Sequence, residues 1–220
     1  MKIVVIGVTG RIGKRLARQL LEHGHRVVGA NRRPERARTV LAGLDLEHVV
    51  ADTADLQALT RLCKGADAVV LATAPTREHP EDYVAHNANV IHAVRECAVP
   101  RLLALSHYKA LRAPDGRPML EAEPPHPYFR RVEAVHVEEL ALFRAQTDID
   151  WLLIAPPAEL FPYGETTGRY RVAEEVLLVT DPGNSAFKEV STLSMEDLVH
   201  FIVGELEHPR FHRTLVSVAY

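Results

Sequence analysis

The chain has little cysteine, a single tryptophan and no excess of positive charge, and each shortage excludes something. Its two cysteines, Cys63 and Cys97, cannot build a disulfide framework and lack the close spacing of a metal knuckle. They suit free thiols in a reducing compartment, so a cytoplasmic location is expected. With a formal net charge of −3 over 220 residues, no broad basic face for nucleic acid is expected. No apolar run approaches the ~18 residues of a membrane helix, and Ile3–Ile6 is too short for a signal-peptide core. The 12 histidines include no HExxH-type pair, and no metal site is expected. His23 and His25 flank Gly24, where cations would favour the end of a helix dipole. No repeat, linker or low-complexity tract divides the chain. One domain over residues 1–220 is expected, with residues from about 155 onward contributing to a substrate site.

What is present is concentrated at the amino terminus. Ile3–Ile6 is a β-branched apolar run of strand length. Gly7, Gly10 and Gly13 follow at three-residue spacing. Ile12, Leu16 and Leu20 then repeat every four residues, so a helix opens at or just after Gly10. Strand, glycine turn and helix form a dinucleotide-binding arrangement. Gly7 makes the tight turn, Gly10 clears room for a pyrophosphate, and Gly13 lets the helix approach the sheet. Thr9, Arg11 and Ile12 belong to the same turn and helix start, whose free N–H groups attract phosphate. The spacing is GxxGxxG rather than GxGxxG.

A second strand, Arg26–Ala30, ends in Asn31-Arg32-Arg33-Pro34. An enzyme selective for NAD usually places an acidic residue there for the ribose 2′-hydroxyl. Two guanidinium groups instead suit a 2′-phosphate, which favours NADP(H) over NAD(H). The alternative is a solvated basic turn ahead of a helix starting at Pro34. Asp52, after a third strand at His48–Ala51, either accepts from an adenine amino group or caps the helix that follows. Further elements are expected at 56–63 (helix), 67–72 (strand), 81–98 (helix, with Val84, Ala88, Ile91 and Val94 on one stripe), 101–105 (strand), 129–146 (helix, with Val132, Val135, Leu140 and Phe143 inward) and 150–154 (strand). A last helix and a strand at 214–218 close the chain.

This alternation predicts an α/β fold of Rossmann type, doubly wound, with a mostly parallel sheet and helices on both faces. Ligands then gather at the carboxyl edge of the strands. Thr73-Ala74-Pro75 and Pro156 leave strands there and would border the nicotinamide end. Ser106-His107-Tyr108-Lys109 leaves the fifth strand at the same edge, and Ser106, His107 and Tyr108 are candidates for proton transfer. Histidine brings an ordinary pKa near neutrality to that task. Prolines at 114, 118, 124, 125 and 127 exclude a regular helix there. Residues 158–190 read as loops and short strands, at Phe161–Gly164, Thr167–Arg171 and Val176–Val179, a lid over the substrate. Ser194-Met-Glu-Asp197 reads as a capping box.

Gly7-Val-Thr-Gly-Arg-Ile-Gly13, Asn31–Pro34, Arg101–Ser106, Asp150-Trp151 with Pro156, Thr167–Tyr170 and Ser194–Asp197 occur in an order that resembles the atypical short-chain dehydrogenase/reductases. The group most similar is the NAD(P)H-binding one of NADH-flavin reductases, related to biliverdin reductase B and to NmrA-like proteins. The resemblance covers essentially the whole chain. It implies NAD(P)H binding and a small-molecule acceptor, and Ser106 matches the family's serine after the fifth strand. The YxxxK pair of the wider superfamily is missing. Val132 follows Tyr128 at the lysine position, Glu174 follows Tyr170, and Tyr108 and Lys109 are adjacent. His136 falls near the lysine place.

Flavin reduction does not require that pair, since ring stacking does most of the work. Tyr83, Tyr108, Phe161 and Tyr163 are aromatics that could face a planar acceptor. Three functions remain: an NADPH-dependent reductase of a flavin or similar conjugated acceptor, an NADPH-dependent carbonyl reductase of a specialised pathway, or an NmrA-like redox sensor that binds NADP(H) without catalysis. A monomer or homodimer, with no membrane or nucleic-acid partner, is expected.

Overall fold

The strands alternate between two apolar cores, one on each face of a single sheet. Val4 and Ile6, Val28 and Ala30, Val69 and Leu71, and Leu102 and Ala104 point to one face. Ile3 and Val5, Val27, Val70, Leu103 and Leu105 point to the other. A strand whose neighbours on both faces are helices must be apolar throughout, and here nearly every residue of the central strands is buried. The computed structural model describes residues 1–220.

Ten strands and eight helices follow in order. They are β1 (Lys2–Ile6), α1 (Arg11–Glu22), β2 (Arg26–Asn31), α2 (Pro34–Val40), β3 (Glu47–Val50), α3 (Leu56–Cys63), β4 (Ala68–Leu71), α4 (Asp82–Glu96) and β5 (Arg101–Leu105). A 3₁₀ turn at Tyr108–Ala110 and a one-turn α5 (Met119–Ala122) precede α6 (Arg130–Arg144) and β6 (Trp151–Ala155). The chain closes with β7 (Glu159–Phe161), β8 (Arg171–Glu174), α7 (Phe187–Val190), β9 (Thr192–Ser194), α8 (Met195–Glu207) and β10 (Thr214–Ala219).

The sheet order is β3-β2-β1-β4-β5-β6-β10-β8, with β7 and β9 forming a separate pair. Every pairing in the main sheet is parallel except β10 with β8. This is the doubly wound, mostly parallel α/β architecture of the Rossmann type. Helices α3, α4 and α6 cover one face through Leu59, Ile91, Val94, Leu140 and Phe143. Helices α1 and α8 cover the other through Leu16, Leu20, Leu198, Phe201 and Ile202. The strand order reverses between β1 and β4, which opens a crevice at their carboxyl ends.

Two local readings need correction. Val176–Val179 forms no strand; the edge strand is Arg171–Glu174, which pairs antiparallel with β10. The segment read as a lid is fastened elsewhere. Asp197 accepts from the Thr167 and Gly168 N–H groups (2.8 and 2.9 Å) and from the Tyr220 hydroxyl (2.7 Å). Arg15 of α1 donates to Pro162 O at 2.6 Å. Residues 162–170 are thereby pinned to α1 and α8. Ser194 does cap α8, accepting from Asp197 N at 3.0 Å, while the Asp197 carboxylate serves that loop rather than closing the capping box.

Candidate functional site

Gly7 sits at φ +85, a left-handed backbone that side chains resist, and a Cβ there would lie 2.5 Å from Ala72 O. A Cβ on Gly13 would lie 2.3 Å from Gly7 O. These two glycines are required by the protein's own packing, loop against β4 and helix against loop. Gly10 differs. A Cβ there would meet only Gly7 O at 3.1 Å and Ala72 O at 3.7 Å, and Gly10 borders the crevice. Its missing side chain leaves room for something that is not protein. Gly10 is also the N-cap of α1, makes no side-chain cap bond, and is followed by no acidic residue in the first turn. The helix therefore presents its first N–H groups and its positive end without a neutralising side chain.

The crevice has a volume of about 390 Å3, within the range of small-molecule sites. Nine of the fourteen cofactor candidates line it: Gly7, Thr9, Gly10, Asn31, Arg32, Arg33, Thr73, Ala74 and Pro75. Arg11, Ile12 and Gly13 belong to the first turn of α1 beside it. Asp52 and Pro156 do not line it. Asp52 closes a turn by accepting from Ala54 N at 3.0 Å and stands 4.0 Å from Arg32. The cap of α3 is Asp55, which accepts from Ala58 N. Pro156 is half-buried beyond β6.

Asn31 is buried and its amide is fully engaged. Nδ2 donates to Thr9 Oγ1 (3.2 Å) and Arg33 O (3.0 Å), and Oδ1 lies 2.5 Å from His48 Nε2. It ties the glycine turn to the arginine turn. Arg32 and Arg33 are exposed at the rim, and Arg36 joins them. Arg36 extends from α2 and donates to Thr9 O at 3.4 Å. The sequence reading missed Arg36, although one helical turn after Arg32 and Arg33 was the signal for it.

The β5 end of the edge is built differently. Ser106 is buried and donates to Glu139 Oε2 at 2.7 Å. Glu139, on α6, has no exposed surface. Its Oε1 accepts from the Tyr83 hydroxyl (3.0 Å) and Asn87 Nδ2 (2.9 Å), and its Oε2 also meets His136 Nδ1 at 2.9 Å. Tyr83 further reaches Thr73 O and Leu105 O, both at 3.4 Å, and so bridges the ends of β4 and β5. Burial, then the Glu139 charge, pushes the Tyr83 phenol well above its ordinary pKa. Tyr83 also lines the crevice, so one ring separates this cluster from the crevice.

His107 stacks on His136 with ring centres 5.3 Å apart. Its Nδ1 accepts from Lys109 N at 3.3 Å, which leaves Nε2 as the protonated nitrogen. Burial, then the charges of His136, Lys109 and Lys188, lowers its pKa from 6.5 to about 3. The expectation that His107 titrates near neutrality is therefore overturned: it is a neutral hydrogen-bond donor. Tyr108 donates to Glu123 Oε2 at 2.9 Å, and Lys109 donates to the same carboxylate at 2.5 Å. Burial, then that bond, pushes the Tyr108 phenol up. Both side chains are committed to holding the irregular, proline-rich excursion at 112–127.

The expected aromatic face is not assembled. Phe161 packs on Tyr220 at 6.1 Å, Tyr163 is 82% exposed, and of the four aromatics only Tyr83 borders the crevice. Arg77, in the loop after β4, instead lies over Tyr128 (5.5 Å) and Phe129 (5.2 Å), joining that loop to the excursion. Neither Cys63 nor Cys97 takes part; burial pushes the Cys63 thiol up to about 12.

A glycine turn on an uncapped helix, at the point where strand order reverses, defines a nucleotide-binding protein of the Rossmann class. Comparison makes the class specific: residues 7–209 match the model of the NAD(P)H-binding family, and the chain belongs to that family. It is 27% identical to the uncharacterized protein YwnB of Bacillus subtilis over 227 residues, spanning all of both chains. Among solved structures it is similar to a "putative epimerase" of Bacteroides thetaiotaomicron, at 28% identity and a TM-score of 0.86, covering 100% of this chain and 96% of that one. It also shares its fold with a "putative NADH-flavin reductase" of Streptococcus pneumoniae, at 21% identity and a TM-score of 0.79, covering 100% and 99%.

Proposed function

We propose that this protein is an NADPH-dependent reductase of a small conjugated acceptor. One observation carries the cofactor half of the reading. Arg32, Arg33 and Arg36 border the crevice beside an uncapped helix start, and no acidic side chain occupies the usual ribose position. The turn at Gly7–Gly13 would hold the diphosphate, the three arginines a 2′-phosphate, and Thr73-Ala74-Pro75 the nicotinamide end. When bound, the cofactor supplies two electrons and a hydrogen to the acceptor. The fold relationship to the Streptococcus pneumoniae protein supports a flavin as acceptor.

The second reading, a conjugated carbonyl or quinone as acceptor, is favoured by the hydrogen-bonded Ser106–Glu139 cluster behind the crevice. A flavin needs a planar slot, and the aromatics expected to form one are engaged elsewhere or exposed. Titration with NADPH and NADH, followed by NADPH consumption with free FMN, a quinone and a carbonyl panel, tests both halves. Equal affinity for the two nucleotides would remove the cofactor preference. Tight NADPH binding with no acceptor consumed would replace the reductase by a sensor.

A further inference from the structure

In a 2′-phosphorylated nucleotide, the ribose carbon that carries the phosphate is bonded to the carbon that carries the base. A site for that phosphate therefore limits where the base can lie. Arg32, Arg33 and Arg36 line the crevice just beyond β2. The backbone beside them is the end of β3. Ala51 N donates to Asn31 O at 3.1 Å, and Ala51 and Thr53 both line the crevice. Asp52, between these two, does not line it, and its carboxylate accepts from Ala54 N within its own turn. The acceptor expected for an adenine amino group is thus engaged elsewhere, and another side chain has to hold the base.

Helix α4 supplies one. Asn89 Nδ2 donates to Thr53 O at 3.0 Å and fastens the helix to the turn after β3. His86 lies three residues earlier on the same face of α4, is half-buried, and lines the crevice. Two other rings line it. Tyr83 spends its hydroxyl on Glu139, Thr73 O and Leu105 O, toward β5. His79 stands in the loop after β4, its Nδ1 3.6 Å from Glu81 Oε1. Of the three, His86 shares its helix face with the contact to the β3 end. Gly7, Ala51 and Ala72 put no long side chain into the crevice, which suits a flat ring.

We propose that His86 stacks on the adenine ring and is the residue through which this crevice selects a purine nucleotide. The proposal rests on the NADPH reading and is independent of the acceptor. An imidazole is planar and aromatic, and a base stacked on such a ring is held by its face, whatever groups its edge carries. The arginines would then read the 2′-phosphate and His86 the base one carbon away. Recognition of the adenosine half would come from two separate elements, the β2–α2 turn and α4.

The probes are 2′,5′-ADP, which carries the base, and ribose 2,5-bisphosphate, which lacks it. Calorimetry on His86→Ala should show 2′,5′-ADP and NADPH weakened roughly tenfold and the base-free sugar phosphate unchanged. His86→Phe keeps an aromatic face and should bind 2′,5′-ADP nearly as the wild type does. Its unchanged denaturation midpoint guards against a folding defect in the alanine variant. Proton NMR gives a readout that a structural role would not move. The His86 ring protons, assigned by their loss in His86→Phe, should shift upfield with 2′,5′-ADP and stay in place with the sugar phosphate. Undiminished binding of 2′,5′-ADP by His86→Ala, equal weakening of both probes, equal losses in the alanine and phenylalanine variants, or an unshifted ring would each overturn the stacking role and leave the NADPH reading standing. A wild type that binds neither 2′,5′-ADP nor NADPH would overturn that reading and the role of His86 with it.

Discussion

At the β1–β2 end of the ligand edge, three arginines and an uncapped helix start face solvent, and the one carboxylate paired with them is 4.0 Å away. At the β5 end, a carboxylate with no exposure is met by four polar partners and no permanent cation. The first region is left short of negative charge, which the proposed 2′-phosphate would supply. The second satisfies its carboxylate with hydrogen bonds from within the fold. The same sheet edge thus carries an open basic end and a closed hydrogen-bonded end, and substitutions can address each without the other.

The largest effect is expected from Gly13→Ala. Its Cβ would collide with the Gly7 backbone, which cannot swing aside, and stability should fall by about 3 kcal/mol. Chemical denaturation checks this, and NADPH binding should be lost with it. Glu139→Ala comes next. It strips the acceptor from Ser106, Tyr83 and Asn87, and should cost about 2–3 kcal/mol while leaving NADPH affinity nearly intact by calorimetry. Comparable losses of affinity in both variants would show that the two regions are not separable.

Arg36→Ala should weaken NADPH by roughly tenfold and NADH much less, as should Arg32→Ala and Arg33→Ala, with the stability midpoint barely moved. Raising salt should shrink that difference, because the arginines are exposed. Equal weakening of both nucleotides would make the basic turn a solvated surface.

The smallest effect at neutral pH concerns His107. With a folded pKa of about 3 against 6.5 unfolded, it takes up a proton on unfolding below pH 6.5. Its contribution is absent above that value. Below it the native state loses up to about 1.4 kcal/mol per pH unit until roughly pH 3. His107→Asn should flatten this acid limb of the stability curve. An unchanged limb would mean that the imidazole is not held neutral.

Much of the fold was legible because its signals are local. The strand runs, the glycine turn and the helix start lie within a few residues of one another, and β5 and α3 fall on the residues expected. The arginine turn was legible for the same reason. The β5 cluster was not, because its partners come from α4, the end of β5 and α6, up to 56 residues apart. The expected inward stripe of α4 used Val84 and Ala88. The helix is turned so that Tyr83 and Asn87 are buried and those two are half-buried. On α6 Val135, Leu140 and Phe143 face inward as expected and Val132 is half-buried, but His136 and Glu139 share that stripe. Two ionisable residues on an apolar stripe were the available signal. Likewise Asp52 reads in sequence as a possible cap, and only the backbone shows that Asp55 takes that place.

The glycine turn is bonded to the protein's own backbone. Gly7 N donates to Ala30 O at 2.8 Å, and Gly10 N donates to Gly7 O at 2.9 Å. A loop so fastened gives up almost no freedom when it is filled, and most of the ordering entropy falls on the nucleotide. Capture is then paced by encounter in solution rather than by a rearrangement of the loop, and differences between nucleotides are expressed in how long they stay.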